Sequence, residues 1–135
     1  MIFFFFLFKS TYIEISTYTL TGHTSYVFTL VTLPNGNLAS SSYDNTIKIW
    51  NSSTGSLVYT LTGGHTREVY TLATLPNGNL ASGSFDKTIK IWNPSRGSLV
   101  YTLTGHTSEI RSLVTIPNGK IASGSADTTV KIWVT

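Results

Sequence analysis

One set of residues recurs three times along this 135-residue chain, and it constrains the fold more than any other feature. His23, His65 and His106 each follow a glycine, at spacings of 42 and then 41 residues. Asp44, Asp86 and Asp127 keep the same spacing, as do Trp50, Trp92 and Trp133. Within each copy, His to Trp is 27 positions, and the extra glycine of Gly63-Gly64 accounts for the one-residue difference. Residues 22–61 and 64–103 are identical at 31 of 40 aligned positions. Duplication of one supersecondary unit produces this pattern. A unit of this size covers its apolar faces by stacking on neighbouring copies.

Each copy reads as four short strands. In the second, residues 69–75 are rich in β-branched and aromatic types and form a first strand. Pro76-Asn77-Gly78 is a turn, because Asn-Gly tolerates positive φ. A short second strand over 79–84 follows, and Phe85-Asp86-Lys87 turns the chain again. Residues 88–92 form a third strand, with Ile89 and Ile91 alternating against Lys90. A polar loop leads to a fourth strand over 98–103. No segment has helical periodicity. The expected class is all-β: blades of four-stranded antiparallel sheets, three per chain, as in a β-propeller.

The recurring Gly-His, Leu-Pro-Asn-Gly and Leu-Ala-Ser-Gly-Ser-Phe-Asp-Lys-Thr-Ile-Lys-Ile-Trp segments resemble the WD-repeat family over about residues 13–135. One departure stands out: Asn51, Asn93 and Val134 follow the tryptophans where the family's name expects aspartate. The resemblance implies a structural tetrad of His, Ser, Asp and Trp in each copy. By position these are His23, Ser40, Asp44 and Trp50, then His65, Ser82, Asp86 and Trp92, then His106, Ser123, Asp127 and Trp133. Elementary chemistry supports that role. An aspartate can accept from imidazole and turn amides, and a serine hydroxyl can bridge imidazole and indole, so every buried polar group finds a partner.

His, Ser and Asp together also suggest a hydrolase triad. The set occurs in all three copies with a tryptophan each time, and no Gly-x-Ser-x-Gly elbow presents a nucleophile, so the structural reading is preferred and no enzyme is expected. One histidine per copy makes no clustered metal site, and no cofactor is expected. The absence of cysteine removes disulfides and thiol chemistry. A net charge of +3 is small, and Lys48, Lys90 and Lys131 recur at one repeat position, which argues for architecture over specific nucleic-acid binding. The apolar run 1–8 falls short of the roughly 20 residues of a membrane span. It also lacks a preceding basic region and a cleavage site. Residues 1–11 are therefore expected to be a leader outside the fold, with membrane attachment disfavoured and a cytoplasmic location favoured.

The resemblance further implies partner contacts from three positions per copy at one end of the blades. These are Tyr26, Phe28 and Tyr43, then Glu68, Tyr70 and Phe85, then Glu109, Arg111 and Ala126. All three positions differ between the first two copies, although most of the unit is identical, and Tyr, Phe and Arg are types that carry interface energy. The expected function is a protein-interaction scaffold docking protein or peptide partners. The alternative is a purely structural half-ring with no partner-specific face.

Residues 12–20 align with the fourth strands, and three repeats follow at about 22–62, 63–104 and 105–135. Propellers have about four to eight blades, so three stay open or are completed by another chain or by further sequence. A homodimer exchanging strands would give a six-bladed ring. A piece of a longer propeller is the competing explanation.

Overall fold

Alternating β-branched and polar residues become strands wherever an Asn-Gly or Asp-containing turn reverses the chain. A computed structural model describes residues 17–135, in which eleven strands form three separate antiparallel sheets. Strands β1 (Val27–Thr32), β2 (Leu38–Ser42), β3 (Ile47–Trp50) and β4 (Leu57–Leu61) make the first blade, paired in chain order. The second blade contains β5 (Val69–Thr74), β6 (Leu80–Ser84), β7 (Ile89–Asn93) and β8 (Ser98–Leu103). Strands β9 (Ile110–Ile116), β10 (Lys120–Ser125) and β11 (Val130–Trp133) make the third, which has three strands among the described residues. Helix is limited there to a 3-10 turn, Pro117–Gly119. The expected leader 1–11 and the first part of the 12–20 strand lie outside the described residues, and 17–20 carry no ladder pairing.

Period-two alternation gives each sheet two apolar faces. On the forward face of blade 1, Leu33, Ala39, Ile47, Ile49 and Leu61 form one buried cluster with Val69, Leu72, Leu80 and Trp92 on the back face of blade 2. The pattern repeats one blade on, where Ala73, Leu75, Ala81, Ile89 and Ile91 meet Ile110 and Ile121. Polar bonds add to the second junction: the Leu113 amide donates to Thr71 Oγ1 at 3.2 Å, and the Thr115 hydroxyl donates to the Thr74 carbonyl at 2.7 Å. Burying about 25 cal/mol per Å² of apolar surface makes this stacking the main source of order between blades.

Each first strand carries a bulge at the same place. The register shifts between Val27 and Thr29, between Val69 and Thr71, and opposite Gly124 and Ser125, where Ile110 and Ser112 are paired. The skipped residues are Phe28, Tyr70 and Arg111. A bulged residue leaves the ladder and its side chain is re-aimed.

The repeat is not uniform where β2 and its counterparts pack. Gly83 and Gly124 align with Ser41, which is fully buried and whose hydroxyl has no hydrogen-bond partner. An unsatisfied buried hydroxyl costs about 1–3 kcal/mol. Ser41→Ala is expected to raise the unfolding free energy by about 1 kcal/mol, read as a higher urea midpoint with unchanged slope. A lowered midpoint would refute this.

Candidate functional site

The four tetrad residues come from different parts of each blade: the loop before the first strand, the second strand, the turn after it and the third strand. In blade 2, His65 Nδ1 lies 2.8 Å from Asp86 Oδ2 and Nε2 lies 2.7 Å from Ser82 Oγ. The Trp92 indole donates to the same Ser82 Oγ at 2.8 Å. Blades 1 and 3 repeat these contacts, with His–Asp at 2.8 and 2.6 Å, His–Ser at 2.7 Å in both and Trp–Ser at 2.8 Å in both. Counting donors assigns the protons. An ionised aspartate only accepts, so Nδ1 carries hydrogen and Nε2 accepts the serine hydroxyl, whose free lone pair takes the indole N–H. The glycine before the histidine of blade 2 is required by close approach: a Cβ on Gly64 would overlap the Trp92 ring, whereas Gly22 and Gly105 hold φ of 151° and 154°.

Besides imidazole and turn amides, the aspartate has a threonine hydroxyl as a donor, which the sequence reading did not include. The Thr46 amide and hydroxyl both donate to Asp44 Oδ1, at 2.9 and 2.6 Å, and the Thr24 amide donates to Oδ2 at 3.0 Å. Thr88 and Thr129 do the same in the other blades. The signal was available as an Asp-x-Thr in every copy. Burial alone would push the Asp44 and Asp86 carboxyls up. The hydrogen bonds from Thr46 and His23, and from His65 and Thr88, more than offset it and hold both well below the ordinary aspartate range. At Asp127 the Thr129 hydroxyl is the largest influence, and the carboxyl is again held low.

The serine of this set is poorly suited to attack a substrate. Ser82 is fully buried, and its oxygen is committed to imidazole and indole. The three histidines belong to separate blades, each bound to its own aspartate. Lys48 and Lys90 tie strands together, each donating to a threonine of the next strand, Thr60 and Thr102, at 2.9 Å.

The nine positions singled out for partner contact lie on one edge of the blades, three per blade. Within each trio, one member is the bulged residue and the other two are joined through the backbone. The Tyr43, Phe85 and Ala126 amides donate to the Tyr26, Glu68 and Glu109 carbonyls at 2.9, 2.9 and 3.1 Å. The side chains form a continuous aromatic run. Tyr26 meets Tyr43 edge-on at 6.2 Å between centroids, Tyr43 meets Phe28 at 5.6 Å, Phe28 meets Tyr70 across the blade junction at 4.6 Å, and Tyr70 meets Phe85 at 5.8 Å. Arg111 from blade 3 lies 4.7 Å over Tyr70, and Arg67, absent from the predicted set, lies 4.3 Å over Phe85. Both arginines are paired with acids, Arg67 with Glu68 at 3.0 Å and Arg111 with Glu109 at 2.7 Å. The Ser108 hydroxyl, the residue's own amide and Arg111 hold the Glu109 carboxyl down to about 2. Ala126 adds no aromatic surface to the run.

The family described as WD domain, G-beta repeat matches residues 15–51, 55–93 and 97–134. The chain belongs to this WD-repeat family. Among solved structures, the WD40 β-propeller domain of Doa1 superposes with a TM-score of 0.78 at 35% identity, covering 83% of this chain and 38% of that one. The structure of U3-55K gives 0.79 at 30% identity, covering 84% and 37%. A ribosome biogenesis protein, YTM1 of Scheffersomyces stipitis, is 41% identical over 51 residues, or 36% of this chain and 11% of that protein. The chain thus spans well under half the length of each. WD repeats and propeller neighbours support a protein–protein interaction scaffold, a fold class that is generally non-catalytic. In the first two copies the missing Trp-Asp aspartate has a local replacement. Asn51 Oδ1 accepts the Ser53 and Thr54 amides at 2.9 and 3.1 Å, and Asn93 caps Ser95 and Arg96 likewise, so asparagine closes the loop after the third strand.

Two outcomes are expected of the tetrads. Ser82→Ala strands the Trp92 indole and the His65 ring nitrogen, and should lower stability by about 2–3 kcal/mol in urea titrations. A loss under about 0.5 kcal/mol would show that the chain of bonds contributes little. Depressed aspartate values also set the sign of the acid response. A carboxyl with a lowered folded pKa adds stability above its unfolded value of about 3.9 and loses it as pH falls through the folded value. Unfolding free energy should therefore drop progressively below about pH 4, with a shallower acid slope in Asp86→Asn. Parallel slopes for the two proteins would count against it.

Proposed function

We propose that the chain is a scaffold that docks protein or peptide partners on the edge formed by the nine residues above, and that it carries no chemistry of its own. The observation behind this reading is the aromatic run. Tyr26 is 77% exposed, Tyr43 43% and Phe28 40%, yet they are held in fixed mutual contact by a bulge and a backbone bond. Exposed aromatics that are already ordered lose little entropy when a partner covers them. A partner contributes aliphatic, aromatic or cationic side chains to stack along the run. Because Arg67 and Arg111 are each neutralised by a glutamate, the edge has little basic character to offer a phosphate backbone, which favours a peptide over nucleic acid.

A second reading, that the chain also associates with itself, is favoured by the bare apolar faces at the two ends of the array. On the purely structural alternative, the aromatic edge binds nothing.

The triple variant Tyr26→Ala, Tyr70→Ala, Phe85→Ala separates docking from structure alone. With circular dichroism unchanged, affinity for proteins recovered by pull-down should fall at least about tenfold, since hot-spot aromatics each carry about 2 kcal/mol or more. An unchanged set of partners at unchanged affinity would sink the docking reading.

A further inference from the structure

The chain builds one interface twice: the forward face of a blade against the back face of the next. The same repeat positions lie bare at the two ends of the array. On the back face of blade 1, Val27 is 52% exposed and Leu30 60%, whereas their counterparts Val69 and Leu72 are 0% and 5%. On the forward face of blade 3, Val130 is 74% exposed and Ile132 62%, whereas Ile89 and Ile91 are both 0%. The two ends are therefore the two complementary halves of an interface this sequence already forms. A cavity of about 190 Å³ opens on the back face of blade 1, lined by Leu20, Val27, Leu30, Leu38 and Trp50 among others.

A separate observation comes from residues 17–20. The Tyr18 ring packs on the turn after β3, where a Cβ on Gly55 would sit 3.0 Å from it. Tyr59 of β4 packs in the same way on the turn after β7, 2.7 Å from a Cβ on Gly97. Tyr18-Thr19-Leu20 repeats Tyr59-Thr60-Leu61. The segment thus lies against blade 1 as β4 lies against blade 2, in the place of the outer strand of a preceding blade. Among the described residues, no companion strands lie in that place. Blade 3 has those three strands and, among the described residues, no outer one.

We propose that a second copy of this chain fills the gap. Blade 3 of one copy seats its forward face on the back face of blade 1 of the other, and residues 17–20 of that other copy add to β11 as a fourth strand. The reciprocal junction closes a ring of six blades, because a head-to-tail contact used twice around a two-fold axis leaves no free face. The internal register dictates the new ladder. Ile47 pairs with Leu61 and Ile49 with Tyr59, so Val130 pairs with Leu20 and Ile132 with Tyr18 of the other copy. Lys48 and Lys90 each donate to a threonine on the outer strand of their blade. Thr19 of the other copy supplies that acceptor to Lys131. Leu20 then covers the forward face as Leu61 does in the first buried cluster. This proposal specifies the faces of the self-association reading above and is independent of the aromatic edge.

Light scattering after gel filtration tests it on the whole 135-residue chain, with a mass twice the 14.8 kDa of one copy expected. Val27→Asp breaks one half of the junction and Val130→Asp the other, so each alone should lose the dimer. Mixed in equal amounts they should recover a dimer, because the first keeps a good blade 3 and the second a good blade 1. A monomeric wild type overturns self-association altogether. A dimer that survives in either single variant keeps self-association but overturns this pairing of faces, and so does a mixture that stays monomeric. An open-ended series of masses overturns ring closure. If circular dichroism shows either aspartate variant unfolded, Leu30→Ser and Ile132→Ser carry the same comparison.

Discussion

A sheet of four short strands has two apolar faces and cannot cover either by itself. Everything else in this chain depends on that constraint. Forward-face isoleucines reach zero or near-zero exposure only where a following blade lies over them, as Ile47 and Ile49 do under blade 2. The same residue type at the same register, Ile132, is exposed where no blade of the described residues lies over it. Apolar burial scales with area and has no direction, so the stacking alone would tolerate sliding of one blade on another. Direction at the second junction is added by two hydrogen bonds, from the Leu113 amide to Thr71 and from the Thr115 hydroxyl to the Thr74 carbonyl.

Within each blade, the tetrads add directed bonds of their own. Aspartate, imidazole, serine and indole form a chain of directed bonds joining an entry loop, a turn and two strands. Each member is satisfied, so the cost of burying it is offset. The added threonine donors matter because burial pushes the aspartate toward protonation, and a neutral carboxyl would accept more weakly from imidazole and carry a proton that competes with the donors around it. Four donors on one carboxylate keep it ionised in a nearly dry site. The arrangement resembles a hydrolytic triad only in composition. In the triad the serine oxygen is free to attack, whereas here the indole N–H occupies it.

Variation is concentrated where this scaffold leaves freedom. Bulged positions stand outside the ladder, so Phe28, Tyr70 and Arg111 differ in chemistry without disturbing the pairing around them. The result is a rigid edge with a different side-chain set on each blade, on a core that is nearly identical in the first two copies and stays apolar in the third, where Ile110, Ile121 and Val130 stand for Val69, Leu80 and Ile89.

The periodicity of the sequence by itself determined the strands and the turns, because those depend on spacing within one 42-residue unit; the tetrad members were implied by the family resemblance. Boundaries read from residue types fell within a residue or so of the second blade's strands, since each lies between a turn and an alternating run. The nine edge positions were implied by the family resemblance. Their connection was not. The Phe28–Tyr70 contact and the Arg111–Tyr70 stack cross blade junctions, and Arg67 reaches Phe85 from a loop. Such contacts depend on the offset and rotation between neighbouring sheets, which a repeat pattern does not encode. The same holds for the end faces. Val27 and Val69 are the same residue at the same repeat position, and only the presence or absence of a neighbouring blade decides that one is exposed and the other buried.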